Sequence, residues 1–267
     1  MYKAFYSLSA APFSKELEAK NLFVSDALSE AMARLDYLKN TRGIGVIVGE
    51  PGAGKTCALR AFAKKLNSSL YKVIYFPLST GTVTDFYRGL ALGLGEEPCF
   101  RKVDLFQQIQ QAVHSSFHEK KVTPVFVMDE MHMASNRFLN DLGILFNFKM
   151  DSENPFVIIL AGLPYLMDRL SLNQNQSLAQ RVVMRCKFTP LNRDEVKRYV
   201  QHHLELAGAR HEIFSAAAIE ALASRSRGWP RLINNLAVNS LLLGCQLKAE
   251  TIDEDIVFKA CEEAGLS

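Results

Sequence analysis

The chain has 267 residues, of which 48% are hydrophobic and 22% charged, with 31 basic against 28 acidic residues and a net charge of +3. This composition excludes a disordered or fibrous chain, and the length suits one large domain or a large and a small one. A charge so nearly balanced leaves any nucleic-acid partner to a local basic surface.

In chain order, the N-terminal MYKAFYSLSAAPF has one lysine and no long apolar core, so it does not read as a signal peptide. Runs rich in branched and aromatic residues follow at Gly43–Val48, Val73–Leu78, Pro124–Met128, Phe156–Ala161 and Val182–Phe188. Their apolar residues are continuous and do not alternate, which predicts strands buried on both faces. Between them lie helical spacings. Leu59, Phe62, Ala63 and Leu66 share one face of Thr56–Leu66, and Leu105, Ile109, Ala112 and Val113 share a face further on. Strands alternating with helices predict a parallel sheet covered on both sides.

After Leu191 the pattern becomes all-helical. Asp194, Ser215 and Thr251 are expected to begin helices, Gly228 to terminate one, and Pro230 to sit in the first turn of another. The reading is therefore residues 1–190 as an α/β core with an N-terminal extension, and residues 191–267 as a small helical domain. The longest apolar stretch, Phe156–Met167, contains Gly162 and Pro164 and is shorter than the roughly 20 residues that span a bilayer. Cys57, Cys99, Cys186, Cys245 and Cys261 are scattered and form no C-x-x-C pair, which argues against a zinc site or disulfide framework and fits a reducing cytosol.

The first strand runs into GEPGAGKT, Gly49–Thr56, which meets G-x-x-x-x-G-K-[ST] at Gly49, Gly54, Lys55 and Thr56. The predicted strand before it and helix after it are the context in which such a loop wraps phosphate with successive backbone N–H groups. Lys55 is expected to reach the β- and γ-phosphates and the Thr56 hydroxyl to ligate Mg²⁺. The third strand ends in Asp129-Glu130. A carboxylate there needs a cation to face, so Asp129 is expected opposite the metal and Glu130 as the general base for the attacking water. A positive group is still needed to neutralise the transition state. Arg181, before the last strand, and Arg231, in Gly228-Trp229-Pro230-Arg231, are candidates, and each reads equally as a solvated arginine.

The order of GEPGAGKT, VFVMDEMH, NFKMDSENPFVIILAGLP, SLAQRV and GWPRLINNLA resembles the AAA+ ATPases. Within them it resembles the branch of ExeA-type ATPases and the MuB, TniB and TnsC transposition regulators, over nearly the whole chain. The resemblance implies a P-loop NTPase, with a three-layer αβα core around a five-stranded parallel sheet of order 5-1-4-3-2 and a C-terminal helical lid. It implies ATP bound between subunits of a ring or helical filament. Gly49, Glu50, Pro51, Gly52, Ala53, Gly54, Lys55, Thr56 and Cys57 would line the nucleotide, with Phe23 and Val24 beside the adenine. Arg181 matches the trans-acting arginine finger, and Arg231 the sensor arginine that meets the γ-phosphate in cis. One departure is Leu163 in Gly162-Leu163-Pro164, where this branch places a polar sensor. Leucine cannot hydrogen-bond through its side chain, which points to slow, switch-like hydrolysis or to a substitute such as Asn147.

ExeA-type ATPases continue into a membrane span and a wall-binding region, whereas this sequence ends at Ser267. The expectation is therefore a cytoplasmic regulator of transposition without a membrane partner. It would assemble on double-stranded DNA, mostly without sequence preference, and recruit a transposase; the alternative is a secretion or envelope ATPase. Thr80, Thr82, Arg101 and Lys102 are the candidate DNA contacts, with a solvated charged loop as the equal alternative for Arg101 and Lys102. No helix-turn-helix or zinc finger is apparent.

Overall fold

The computed structural model describes residues 1–14, 18–77 and 82–265. Its elements are α1 (Tyr2–Phe5), α2 (Asp26–Thr41), β1 (Gly43–Val48), α3 (Lys55–Lys65), β2 (Tyr71–Pro77), α4 (Val83–Leu94), α5 (Lys102–His118), β3 (Thr123–Asp129), α6 (Asn136–Leu145), β4 (Val157–Gly162), α7 (Tyr165–Leu170), α8 (Gln176–Gln180), β5 (Val182–Lys187), α9 (Arg193–Leu206), α10 (Ala216–Ser226), α11 (Pro230–Gln246) and α12 (Glu254–Glu263). The chain divides into two compact units, one of Ser29–Glu50 and Lys55–Phe188, the other of Met1–Leu28, Pro51–Gly54 and Thr189–Ser267.

The first unit is a parallel five-stranded sheet in the order β2-β3-β4-β1-β5, the P-loop NTPase arrangement expected. The register sets Val48 beside Gly162 and Pro77 beside Asp129, so β1, β2, β3 and β4 end together on one side. In such sheets the carboxyl ends of the strands are where ligands bind. β1, β4 and nearly all of β3 are fully buried, as their unbroken apolar runs require. β2 and β5 are the sheet's edges, and there the expectation of burial on both faces fails: Tyr75 and Val183 reach solvent. Val46, Phe126, Met128, Ile158 and Leu160 pack with Leu90 of α4 and Leu105 and Ile109 of α5 in one core.

The second unit has its own core, in which Val196, Leu222, Ile233, Leu236 and Val257 of the C-terminal helices meet Tyr6, Leu8 and Phe13. The N-terminal residues thus cluster with the helices and not with the sheet. The cause is long-range burial: Tyr6 is 1% exposed and its hydroxyl donates to the Ala249 carbonyl (3.0 Å). Asn192, not Asp194, caps α9. Asn192 has the extended backbone that a cap requires, its side chain accepts from Glu195 N (2.8 Å), and Glu195 returns a bond to Asn192 N (3.0 Å). Asp253, not Thr251, caps α12 by accepting from Ile256 N (3.0 Å). Ser215 caps α10 as expected.

Gly228 follows α10 with φ of +75°, where a Cβ would lie 2.1 Å from the Leu191 carbonyl oxygen. The same glycine's carbonyl accepts from Leu191 N (2.9 Å). Gly228→Ala is therefore expected to destabilise this unit by ~2–4 kcal/mol, from left-handed backbone strain plus a clash with backbone that cannot yield. A shift in the urea unfolding midpoint measures it, and an unchanged midpoint contradicts it. Among the described residues, no helix is long and apolar enough to cross a membrane.

Candidate functional site

β1 carries only apolar residues and ends where a loop of Gly and Pro begins, so the chain leaves the sheet at Gly49 and re-enters a helix at Lys55. Gly52 and Gly54 have φ of +80° and +101°, values that L side chains rarely adopt, so the loop's turns call for glycine at both places. Lys55, 9% exposed, folds back so that its ammonium donates to the carbonyls of Gly49 (2.7 Å) and Glu50 (3.1 Å). The loop's middle, Pro51–Gly54, groups with the helical unit. There the Gly52 carbonyl accepts from Arg231 N (3.4 Å), and a Cβ on Gly52 would come within 2.3 Å of Arg231 Cβ.

Asp129 closes β3 and is 4% exposed. Isolated, a carboxylate so buried would be costly. Its oxygens are instead engaged: Oδ2 accepts from Thr56 Oγ1 (3.1 Å) and Tyr75 Oη (3.4 Å), and Oδ1 from Glu130 N (2.9 Å). Burial first, then the Asp129 charge, push the Tyr75 hydroxyl above its ordinary value, which keeps it a donor. Tyr75 was not singled out in the sequence. Its reach to Asp129 comes from the parallel register, which sets Pro77 opposite Asp129.

Glu130 leaves the strand in the left-handed region (φ 58°, ψ 29°), a conformation uncommon for a residue with a side chain. Its carboxylate is more than half exposed and comes within 3.4 Å of His132 Nδ1. The sheet unit thus brings together a buried ammonium, a hydroxyl paired with a buried carboxylate, and a second, exposed carboxylate. The hydroxyl–carboxylate pair of Thr56 and Asp129 is hard oxygen chemistry, suited to a hydrated divalent cation such as Mg²⁺. Phosphate oxygens suit the loop amides and Lys55.

The family model described as an AAA domain matches residues 38–170, from the end of α2 through α7 and across the loop and both carboxylates. This chain carries an AAA-type P-loop ATPase domain. The ATPase chain is 28% identical over 272 residues to General secretion pathway protein A of Aeromonas hydrophila. That match covers 100% of this chain and 49% of the other protein, so the ATPase spans about half the length of the curated relative it matches. Among solved structures, it is similar to Cdc6p from Pyrobaculum aerophilum, with a TM-score of 0.72 and 16% identity over 94% of this chain and 70% of that one. It is similar also to ORC1 of Aeropyrum pernix in complex with DNA, with a TM-score of 0.65 and 15% identity over 91% of this chain and 67% of that one. At such identities these likenesses concern the fold.

The other expected site residues of the ATPase are dispersed. Cys57 is half-buried, with Arg60 Nη2 at 3.9 Å from its sulfur. In the helical unit, Phe23 packs edge-on against Tyr199 (5.4 Å) and lies under the Arg198 guanidinium (5.9 Å), whereas Val24 is exposed. Arg181 follows α8 and donates to the Gly143 carbonyl. Thr82 is the N-cap of α4, in a reciprocal capping box with Asp85, and Thr80 lies outside the described residues. Arg101 grips Asp104 through two nitrogens (2.8 and 3.0 Å), and Lys102 pairs with Asp141 (2.8 Å). The sequence shows these charges but not their carboxylate partners. Leu163 offers no polar side chain, but its backbone N–H points to His132 Nδ1 (3.5 Å). Asn147 stands past α6, where its carbonyl accepts from Gln110 (3.3 Å).

Proposed function

We propose that this ATPase is a nucleotide-gated switch that assembles with further copies on duplex DNA in the ATP state and recruits a transposase to the bound target. The observation that carries the switch is the Thr56–Asp129 pair beside the buried Lys55, the arrangement a triphosphate with its metal would require. Loop amides and Lys55 would bind the phosphates, and Thr56 and Asp129 would hold Mg²⁺, which when bound shields the charge of the phosphoryl group in transfer. Glu130 would orient the attacking water and take its proton. Arg231 would serve the same nucleotide, and Arg181 that of a neighbouring copy.

The DNA reading draws on the likeness to ORC1, which is described in complex with DNA. Arg101 is the candidate best placed to contribute, because its pair with Asp104 is exposed and such pairs are cheap to exchange for a phosphate. Lys102 would have to leave a more sheltered Asp141. We propose a cytoplasmic location with this role.

A second reading, an ATPase of a secretion or envelope assembly, is favoured by the match to General secretion pathway protein A along all of this chain. One experiment separates the two. Binding to labelled duplex DNA at low salt is expected with a non-hydrolysable ATP analogue, absent without nucleotide, and weakened steeply as salt rises. No binding in any nucleotide state at low salt would overturn the DNA role and leave the secretion reading.

A further inference from the structure

His132 lies three residues beyond Asp129, in the short turn that follows β3, and its ring is largely sheltered. The surrounding backbone leaves it little freedom. The His132 carbonyl accepts from Arg169 Nη1 (3.0 Å), and the same guanidinium donates through Nη2 to Asn136 Oδ1 (3.0 Å). Fully buried Asn175 donates to that Asn136 oxygen as well (3.2 Å). On the other side, β4 ends so close that a Cβ on Gly162 would lie 3.0 Å from His132 N. A ring carried on a backbone held from α6, α7 and β4 is preorganised.

One atom of that ring faces two groups. Nδ1 is 3.4 Å from Glu130 Oε2 and 3.5 Å from Leu163 N. Glu130 accepts only, and the Leu163 N–H donates only. With the ring proton on Nε2, Nδ1 accepts from Leu163. With the proton on Nδ1, it donates to Glu130. It serves one at a time, and the proton's position selects which. Leu163 is the position where a polar sensor side chain was expected and is missing.

We propose that His132 is a positioning residue for hydrolysis: its Nδ1 alternately restrains the Glu130 carboxylate and engages the main chain at the end of β4, so linking the base to the strand end that Leu163 cannot serve through its own side chain. This rests on the reading of Glu130 as the base. The left-handed turn at Glu130 is what brings its carboxylate back toward His132, two residues on.

The test is steady-state ATP turnover of the full chain, with binding of a fluorescent non-hydrolysable ATP analogue measured alongside. His132→Ala is expected to lower kcat on the order of tenfold, a fraction of what a general base supplies, with KM and analogue affinity within about twofold. His132→Asn should recover most of the rate, because the asparagine amide lies near the place of Nδ1 and can both donate and accept. His132→Gln, whose amide lies near the place of Nε2, should not. Analogue binding certifies that each variant is folded. Wild-type kcat in His132→Ala, or equal losses in the Asn and Gln variants, would overturn the proposal. Glu130→Gln run in parallel separates the failures. If it is inactive while His132→Ala is not, this proposal alone falls; if it turns over at the wild-type rate, the base reading falls and this proposal with it.

Discussion

Lys55→Ala is expected to weaken ATP binding on the order of a hundredfold or more. Lys55 is buried at the start of α3, and a triphosphate in the loop would present it with its most highly charged oxygens. Truncating one partner of a buried, hydrogen-bonded charge pair costs about 2–5 kcal/mol, and each ~1.4 kcal/mol is tenfold in affinity. The ammonium also donates to the Gly49 and Glu50 carbonyls, so the substitution frees two loop acceptors as well. That second effect falls on the two carbonyls with which the loop begins. Titration with a fluorescent ATP analogue measures the loss, and thermal unfolding without nucleotide should be nearly unchanged. Retention of wild-type affinity would show that the phosphates bind elsewhere. Any nucleotide-dependent assembly should disappear with the affinity.

Glu130→Gln is expected to leave ATP affinity within about threefold and to lower hydrolysis by ~10²–10⁴-fold, the range a positioned general base contributes. The substitution is a clean one here for two reasons. Gln is nearly isosteric and meets the same left-handed backbone as Glu, so the turn at φ 58° is not further strained. Its amide can still hydrogen-bond to His132, so the side chain's place is kept while its basicity is lost. Asp129, which accepts from Glu130 through the backbone N–H, keeps that bond as well. Single-turnover hydrolysis with saturating ATP is the measurement. An unchanged rate would remove Glu130 from the role of base.

What the sequence disclosed about this site was what is local. GEPGAGKT between an apolar run and a helical spacing is legible because the loop's chemistry is written in consecutive residues. Asp129 and Glu130 are legible because a buried strand rarely ends in two carboxylates. The strand order came from resemblance, since periodicity does not say which strands are neighbours. Non-local features were hidden. Tyr75 reaches Asp129 only by register between β2 and β3. His132 meets Glu130 because of a backbone conformation no composition reveals, and it meets Leu163 because β4 ends alongside. Tyr6 and Phe13 lie in the core of the helical unit, a long-range burial that no local pattern of the N-terminal residues discloses. Asn192 and Asp194 are both adequate cap residues two positions apart, and only the backbone distinguishes them.

The edges of the sheet carry a consequence for how copies of this chain can associate. An open edge is a template onto which another chain can add a strand. Here β5 turns Arg185 and Lys187 outward, and the Arg185 carbonyl is already taken by Arg34. At the other edge, Lys72 folds onto the Leu94 carbonyl and Pro77 has no N–H to offer. Growth of the sheet from one copy into the next is disfavoured on both sides. A main-chain ladder between copies would persist whatever the nucleotide state, so blunted edges are compatible with the ATP-dependent assembly proposed above.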